Sequence, residues 1–93
     1  MKAIYKYTVD KDPTFISIPK GAKIVHVDKQ RDSACFWAIV DTEARMENRI
    51  FRVVGTGWDI SGYYYIGTYQ DGPFVWHIVE QPIPPEYTKN DWR

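Results

Sequence analysis

Cysteine is nearly absent from this sequence: Cys35 stands alone. One thiol makes no intrachain disulfide and no cysteine-based zinc site. It lies in the apolar run Ala34-Cys35-Phe36-Trp37-Ala38-Ile39-Val40, where a buried and inert thiol is expected. An excess of charge of one sign is missing too. Twelve Lys and Arg balance twelve Asp and Glu, for a formal net charge of +0. Proteins that grip phosphate backbones carry a basic excess or stripe, because counterion release drives that binding. The basic residues Lys20, Lys23, Lys29 and Arg31 form only a diffuse set, so nucleic acid is disfavoured as a partner. No apolar run approaches the roughly 20 residues that span a bilayer. Met1-Lys2-Ala3-Ile4-Tyr5 enters an alternating pattern directly, with no apolar signal-peptide segment. The expectation is a soluble, cytoplasmic protein with no membrane association. Helix-forming composition is confined to residues 41–48, too short for more than a turn or two.

What is present is alternation. β-Branched and aromatic residues recur with period two between turn residues. The spacing predicts strands at 2–9, 14–18, 22–28, 34–40, 49–54, 64–70 and 74–80. The first carries Tyr5, Tyr7 and Val9 on one face. The fourth has Cys35, Trp37 and Ile39 on one side and Phe36, Ala38 and Val40 on the other. Both faces are apolar, which predicts a central strand covered on both sides. Lys29-Gln30-Arg31-Asp32-Ser33 is read as a polar hairpin loop between the third and fourth strands, and residues 41–48 as a hairpin excursion to the fifth. Asp71-Gly72-Pro73 between alternating runs predicts that the sixth and seventh strands form a hairpin. The fold class follows: an all-β protein, a small antiparallel β-sandwich or barrel of about seven strands. Residues 1–80 form the domain. Residues 81–93, opening with Gln81-Pro82-Ile83-Pro84-Pro85, are an extended proline-rich arm outside the sheet.

At 93 residues the chain is one domain, and a domain of this size buries only about 60–65% of its unfolded surface. Two features compensate for so small a core. Aromatic residues make up 16% of the chain, each large ring removing roughly 150–250 Å² from water. Self-association is the other. Trp37, Trp76, Phe36, Phe51 and Phe74 fall inside strands and are expected in the core. Trp58, Tyr63, Tyr87 and Trp92 fall in loops or the arm, where they suit an interface. Within the arm, Ile83, Tyr87 and Trp92 are the interface candidates.

The segments Ile18-Pro19-Lys20-Gly21-Ala22-Lys23-Ile24-Val25-His26-Val27, Cys35 to Asp41, Phe51-Arg52-Val53-Val54-Gly55-Thr56-Gly57, Tyr65-Ile66-Gly67-Thr68-Tyr69 and Val75-Trp76-His77-Ile78-Val79-Glu80 carry a resemblance. The chain from Met1 to about Glu80 resembles a family of small uncharacterised proteins from tailed phages and from bacterial genomes with phage-derived genes. The arm after Glu80 lies outside the resemblance. The resemblance implies a phage or prophage origin and a role in infected or lysogenic bacteria. Accessory proteins of that kind often block a host defence protein or sequester a nucleotide signal. No catalytic residue is carried over.

The residues themselves offer no convincing catalytic constellation and no cofactor motif. His26 and His77 are the only histidines. With Asp28 they form an acid–base or metal cluster only if the third and seventh strands are adjacent, so surface or structural roles are expected. The most suggestive local feature is Gly55-Thr56-Gly57-Trp58, preceded by Arg49 and Arg52 and followed by Tyr63-Tyr64-Tyr65. Arg52, Thr56, Gly57, Trp58 and Tyr63 are candidates to hold a nucleotide-like small molecule, with arginine and backbone amides on an anion and rings stacking on a base. The plainer reading is a bend at a strand end, an exposed arginine and gap-filling tyrosines. The expected function is that of a non-enzymatic phage accessory protein that binds a host protein or its own copies and counters host defence. Sequestration of a nucleotide-like signal is one alternative, and a virion or assembly component another.

Overall fold

Alternation of the kind described above is realised as seven antiparallel strands. The computed structural model describes residues 1–83, and among them no segment is helical. The strands are β1 (Lys2–Val9), β2 (Thr14–Pro19), β3 (Lys23–Gln30), β4 (Ser33–Asp41), β5 (Met46–Gly55), β6 (Tyr64–Asp71) and β7 (Phe74–Gln81). They form two sheets, one ordered β1-β4-β3 and the other β2-β5-β7-β6. The all-β sandwich is therefore as the sequence predicts. Among the described residues no helix is long and apolar enough to cross a membrane.

The core lies between the sheets. Val9, Val27, Phe36, Ala38 and Val40 from the first sheet meet Ile16, Ile18, Phe51 and Ile78 from the second. Phe36 and Phe51 are fully buried and their ring centroids lie 4.8 Å apart across the layer boundary. Such an aromatic pair adds about 0.5–1.5 kcal/mol beyond the area it buries. Arg49 closes one end of this layer. Its guanidinium donates to both Glu80 carboxylate oxygens at 2.7 Å and to the Ala22 carbonyl at 2.9 Å. It also lies 5.6 Å over the Phe51 ring. The salt link and hydrogen bonds to Glu80 hold this group charged more firmly than a free arginine, against the cost of its burial.

Several expectations are overturned. Residues 41–48 make no hairpin, because β4 and β5 belong to different sheets. The chain turns at Asp41–Ala44, where the Ala44 amide donates to the Asp41 carbonyl, and crosses from one layer to the other. Among the described residues β4 is central in its sheet but covered on one side only. Phe36, Ala38 and Val40 are sealed, whereas Ile39 on the other face is 36% exposed and Trp37 only half-buried. A two-layer sandwich has no third layer to cover that face. Trp37 there packs against the His26 ring at 5.5 Å. Cys35 on the same face is buried, as expected. Phe74, expected in the core, starts β7 at a hairpin tip and is 61% exposed.

His26 and His77 are not neighbours either, since β3 and β7 lie in different sheets. A bulge between Ile24 and His26 shifts the register of β3. Ile24 consequently packs against the core, while His26 points outward with Asp28, its Nε2 3.7 Å from the carboxylate. A simple count along β3 places Ile24 and His26 on one face; the extra residue separates them.

Candidate functional site

β5 ends at Gly55, and the chain then makes two turns before β6 begins. The Trp58 amide donates to the Gly55 carbonyl at 3.2 Å, and the Tyr63 amide to the Ile60 carbonyl at 2.9 Å. Gly57 adopts φ 90° in the first turn. In the second, the Asp59 carboxylate accepts from the Ser61 hydroxyl at 2.6 Å and its amide at 2.8 Å. Those two bonds hold the Asp59 carboxyl below its usual range. Gly55 leaves room for the ring: a Cβ on it would lie 2.8 Å from the Trp58 indole nitrogen and push the indole aside. The missing side chain lets the indole rest against the end of β5.

Trp58 is thereby propped between two grooves, itself 59% exposed. One groove, of about 210 Å³, lies over the outer face of the second sheet and is lined by Val54, Gly57, Ile60, Tyr65, His77 and Val79 beside Trp58. The other, of about 480 Å³, runs between Trp58 and the β6–β7 hairpin, against Pro73, Phe74 and Trp76. Trp58 meets Trp76 edge-on, with centroids 6.1 Å apart at 86°, and Phe74 lies 6.3 Å from Trp76. Both linings are mainly apolar and carry no Asp, Glu, Lys or Arg side chain.

The polar part of the site is a row of hydroxyls joined through one imidazole. Thr56 Oγ1 lies 2.8 Å from His77 Nε2, Thr68 Oγ1 lies 2.8 Å from His77 Nδ1, and Tyr65 Oη lies 2.6 Å from Thr68 Oγ1. Hydroxyls both donate and accept, so they satisfy either neutral tautomer of the ring. The hairpin register sets up this row by pairing Thr68 with His77. Counting outward from the Gly72-Pro73 turn gives the same pairing, a signal the sequence holds but the reading above did not use. Phe74 and Trp76, expected in the core, and His77, expected in a surface or structural role, thus line the site, and Tyr65 of the Tyr63-Tyr64-Tyr65 run joins them.

Thr56, Gly57 and Trp58 lie together in the loop after β5, while Arg52 and Tyr63 pair with each other. Arg52 donates to the Tyr63 hydroxyl at 3.4 Å and to Asp12 Oδ1 at 3.3 Å. These bonds and the Asp12 charge raise its pKa above the ordinary arginine value. Asp12 also accepts the Val53 amide at 3.4 Å. Both arginines preceding the glycine pair are accordingly matched to carboxylates of the same chain. The Trp58 amide, which an anion at these glycines would use, closes a turn. Ile83 is half-buried beyond the end of β7, and Tyr87 and Trp92 lie outside the described residues. Among the described residues no group of three His, Cys, Asp or Glu side chains is placed to hold a metal ion.

No curated protein and no solved structure matches this chain. A family model described as a domain of unknown function matches residues 1–88, which takes in both sheets and the first residues beyond Glu80, where the resembling segments stop. By that match, which spans nearly its whole length, the chain belongs to the DUF7352 family, a domain of unknown function.

Proposed function

We propose that this is a non-enzymatic accessory protein of tailed-phage or prophage origin that binds a host protein in the bacterial cytoplasm and so counters a host defence. The resemblance of its strand segments to phage and prophage proteins supports the origin and the setting. The observation that carries the binding reading is the aromatic end around Trp58. Trp58, Tyr65 and Phe74 are 59%, 60% and 61% exposed, clustered beside two mainly apolar grooves. Exposed Trp and Tyr in a group are the residues that dominate protein–protein hot spots. A self-association surface is the second kind of partner proposed.

Sequestration of a nucleotide-like molecule has one observation in its favour: the smaller groove joins the Trp58 ring to the hydroxyl and imidazole row of Tyr65 and His77. The pairing of Arg49 with Glu80 and of Arg52 with Asp12 weighs against a phosphate-bearing ligand. Protein recognition is accordingly the reading adopted.

A photo-crosslinking residue in place of Phe74 tests it in host cells, followed by calorimetry with the purified captured protein. Trp58→Ala is expected to weaken that complex by about 2 kcal/mol or more, close to thirtyfold. Equal affinity of the variant and the parent would refute the assignment of this surface. A panel of mono-, di- and cyclic nucleotides in thermal unfolding addresses the other reading. A ligand at 100 times its dissociation constant adds about 2.7 kcal/mol, and such a gain would transfer the function to sequestration.

A further inference from the structure

Each sheet has two edge strands, and three of the four edges are obstructed. β3 and β6 face each other, with Val27 packed against the Gly67 backbone and Lys29 Nζ 2.7 Å from Asp71. β2 is six residues long, follows Pro13 and ends in Pro19, and proline is a recognised guard of sheet edges. The fourth edge, β1, carries Lys2 and Lys6 but no proline, bulge or, among the described residues, covering strand. It runs eight residues in unbroken register with β4 from Lys2↔Asp41 to Val9↔Ala34. Among the described residues no strand lies on its other side.

The direction of its free backbone groups follows from one hydrogen bond. The Thr42 amide donates to the Met1 carbonyl at 2.8 Å, so Met1 turns its backbone groups toward β4. Alternation then turns Ala3, Tyr5, Tyr7 and Val9 the same way. The amides and carbonyls of Lys2, Ile4, Lys6 and Thr8 face outward. Ile4 is 65% exposed and Tyr5 43% exposed beside that row, which is costly apolar surface for a free monomer to leave in water.

From this edge we infer that β1 is the docking surface for a second copy of the chain, joined antiparallel about a two-fold axis centred on Tyr5. The occupant is argued from charge and pattern. In this register Lys2 faces Thr8, Ala3 faces Tyr7, Ile4 faces Lys6 and Tyr5 faces its own counterpart. No like charges oppose each other, the aliphatic stem of Lys6 covers Ile4, and the two tyrosines form a cross-strand aromatic pair. The neighbouring register, Ile4 on Ile4, sets Lys2 against Lys6 and is disfavoured by repulsion. The two lysines therefore select a register. A formal net charge of +0 opposes no approach of two copies. The product is one continuous sheet ordered β3-β4-β1-β1-β4-β3, with no exposed edge at its centre. This surface belongs to the sheet that does not carry Trp58, and the inference stands apart from the reading of the aromatic end.

Light scattering and sedimentation of the full chain across a wide concentration range test it. The expected mass is twice 10.9 kDa at high concentration, falling toward the monomer on dilution. Ile4→Pro removes one outward amide and leaves the bonds to β4 in place. Tyr5→Lys puts two cations face to face at the axis, and it serves if the proline variant fails to fold. Both are expected to be monomeric with the far-ultraviolet spectrum of the parent. A parent that is monomeric throughout would overturn the inference. So would a dimer that survives both β1 variants, including one that disappears only when residues 84–93 are deleted.

Discussion

Gly67 on β6 and Val27 on β3 meet where those two strands face each other. A Cβ on Gly67 would fall 2.7 Å from the Val27 Cβ. Gly67→Ala is therefore expected to destabilise the fold by about 1–3 kcal/mol through overpacking. Val27→Ala in the same chain should recover part of that loss, a coupling that urea unfolding of both single variants and the double variant measures. Additive losses would show that the contact is loose. Nothing local in Tyr65-Ile66-Gly67-Thr68-Tyr69 announces this glycine's role, because Val27 lies 40 positions away and reaches it only through the folded topology. Trp58 was more legible: a large ring in a loop flanked by glycines is expensive to leave in water, and the structure does leave it 59% exposed. Tyr63, equally conspicuous in the sequence, is instead half-buried and hydrogen-bonded to Arg52.

Among the elements, the β5–β7 pair depends most on a single polar contact. Arg49 and Glu80 are each 18% exposed and joined by two parallel bonds. Glu80→Gln should cost about 1–3 kcal/mol, since it leaves a half-buried guanidinium short of its counter-charge. Replacing both by Met and Leu should restore much of that loss, as paired apolar substitution often does; a double variant no more stable than Glu80→Gln would show that the Ala22 carbonyl was the essential partner. The strands themselves were readable to within one to three residues at each end, because alternation and turn residues act locally. Which strands lie side by side was readable only at two hairpins, β3–β4 across the polar run 29–33 and β6–β7. Asp71-Gly72-Pro73 fixes its hairpin by its own geometry, whereas residues 41–48 carry no signal that distinguishes a hairpin from a crossing between layers. The bulges in β3 and β6 were hidden for the same reason, as one unpaired residue leaves the hydrophobic pattern almost unchanged.

At the scale of the whole molecule, the sandwich should be sensitive to alkali. Burial raises the pKa of Tyr7 and of Tyr69, with the charges of Tyr5 and Asp71 adding to the effect. A folded pKa above the unfolded value means that stability is intact below the free-tyrosine pKa of about 10 and declines as pH rises through that value toward the folded one. Urea midpoints measured from about pH 8 to about pH 11.5 should fall at the upper end, less steeply in Tyr7→Phe and Tyr69→Phe; a slope unchanged in both variants would place the titration elsewhere. The recognition proposed for Trp58 belongs to this scale too, because β5, β6, β7 and the loop between β5 and β6 must all be in place to form the grooves around it. The most direct measurement leaves Trp58 as the one tryptophan, with Trp37, Trp76 and Trp92 replaced by Phe, and records its emission with and without the captured host protein. The account predicts red-shifted, freely quenched emission from the isolated chain and a blue shift with protection once the partner is added. Protected emission from the isolated chain, or no change on adding the partner, would contradict it.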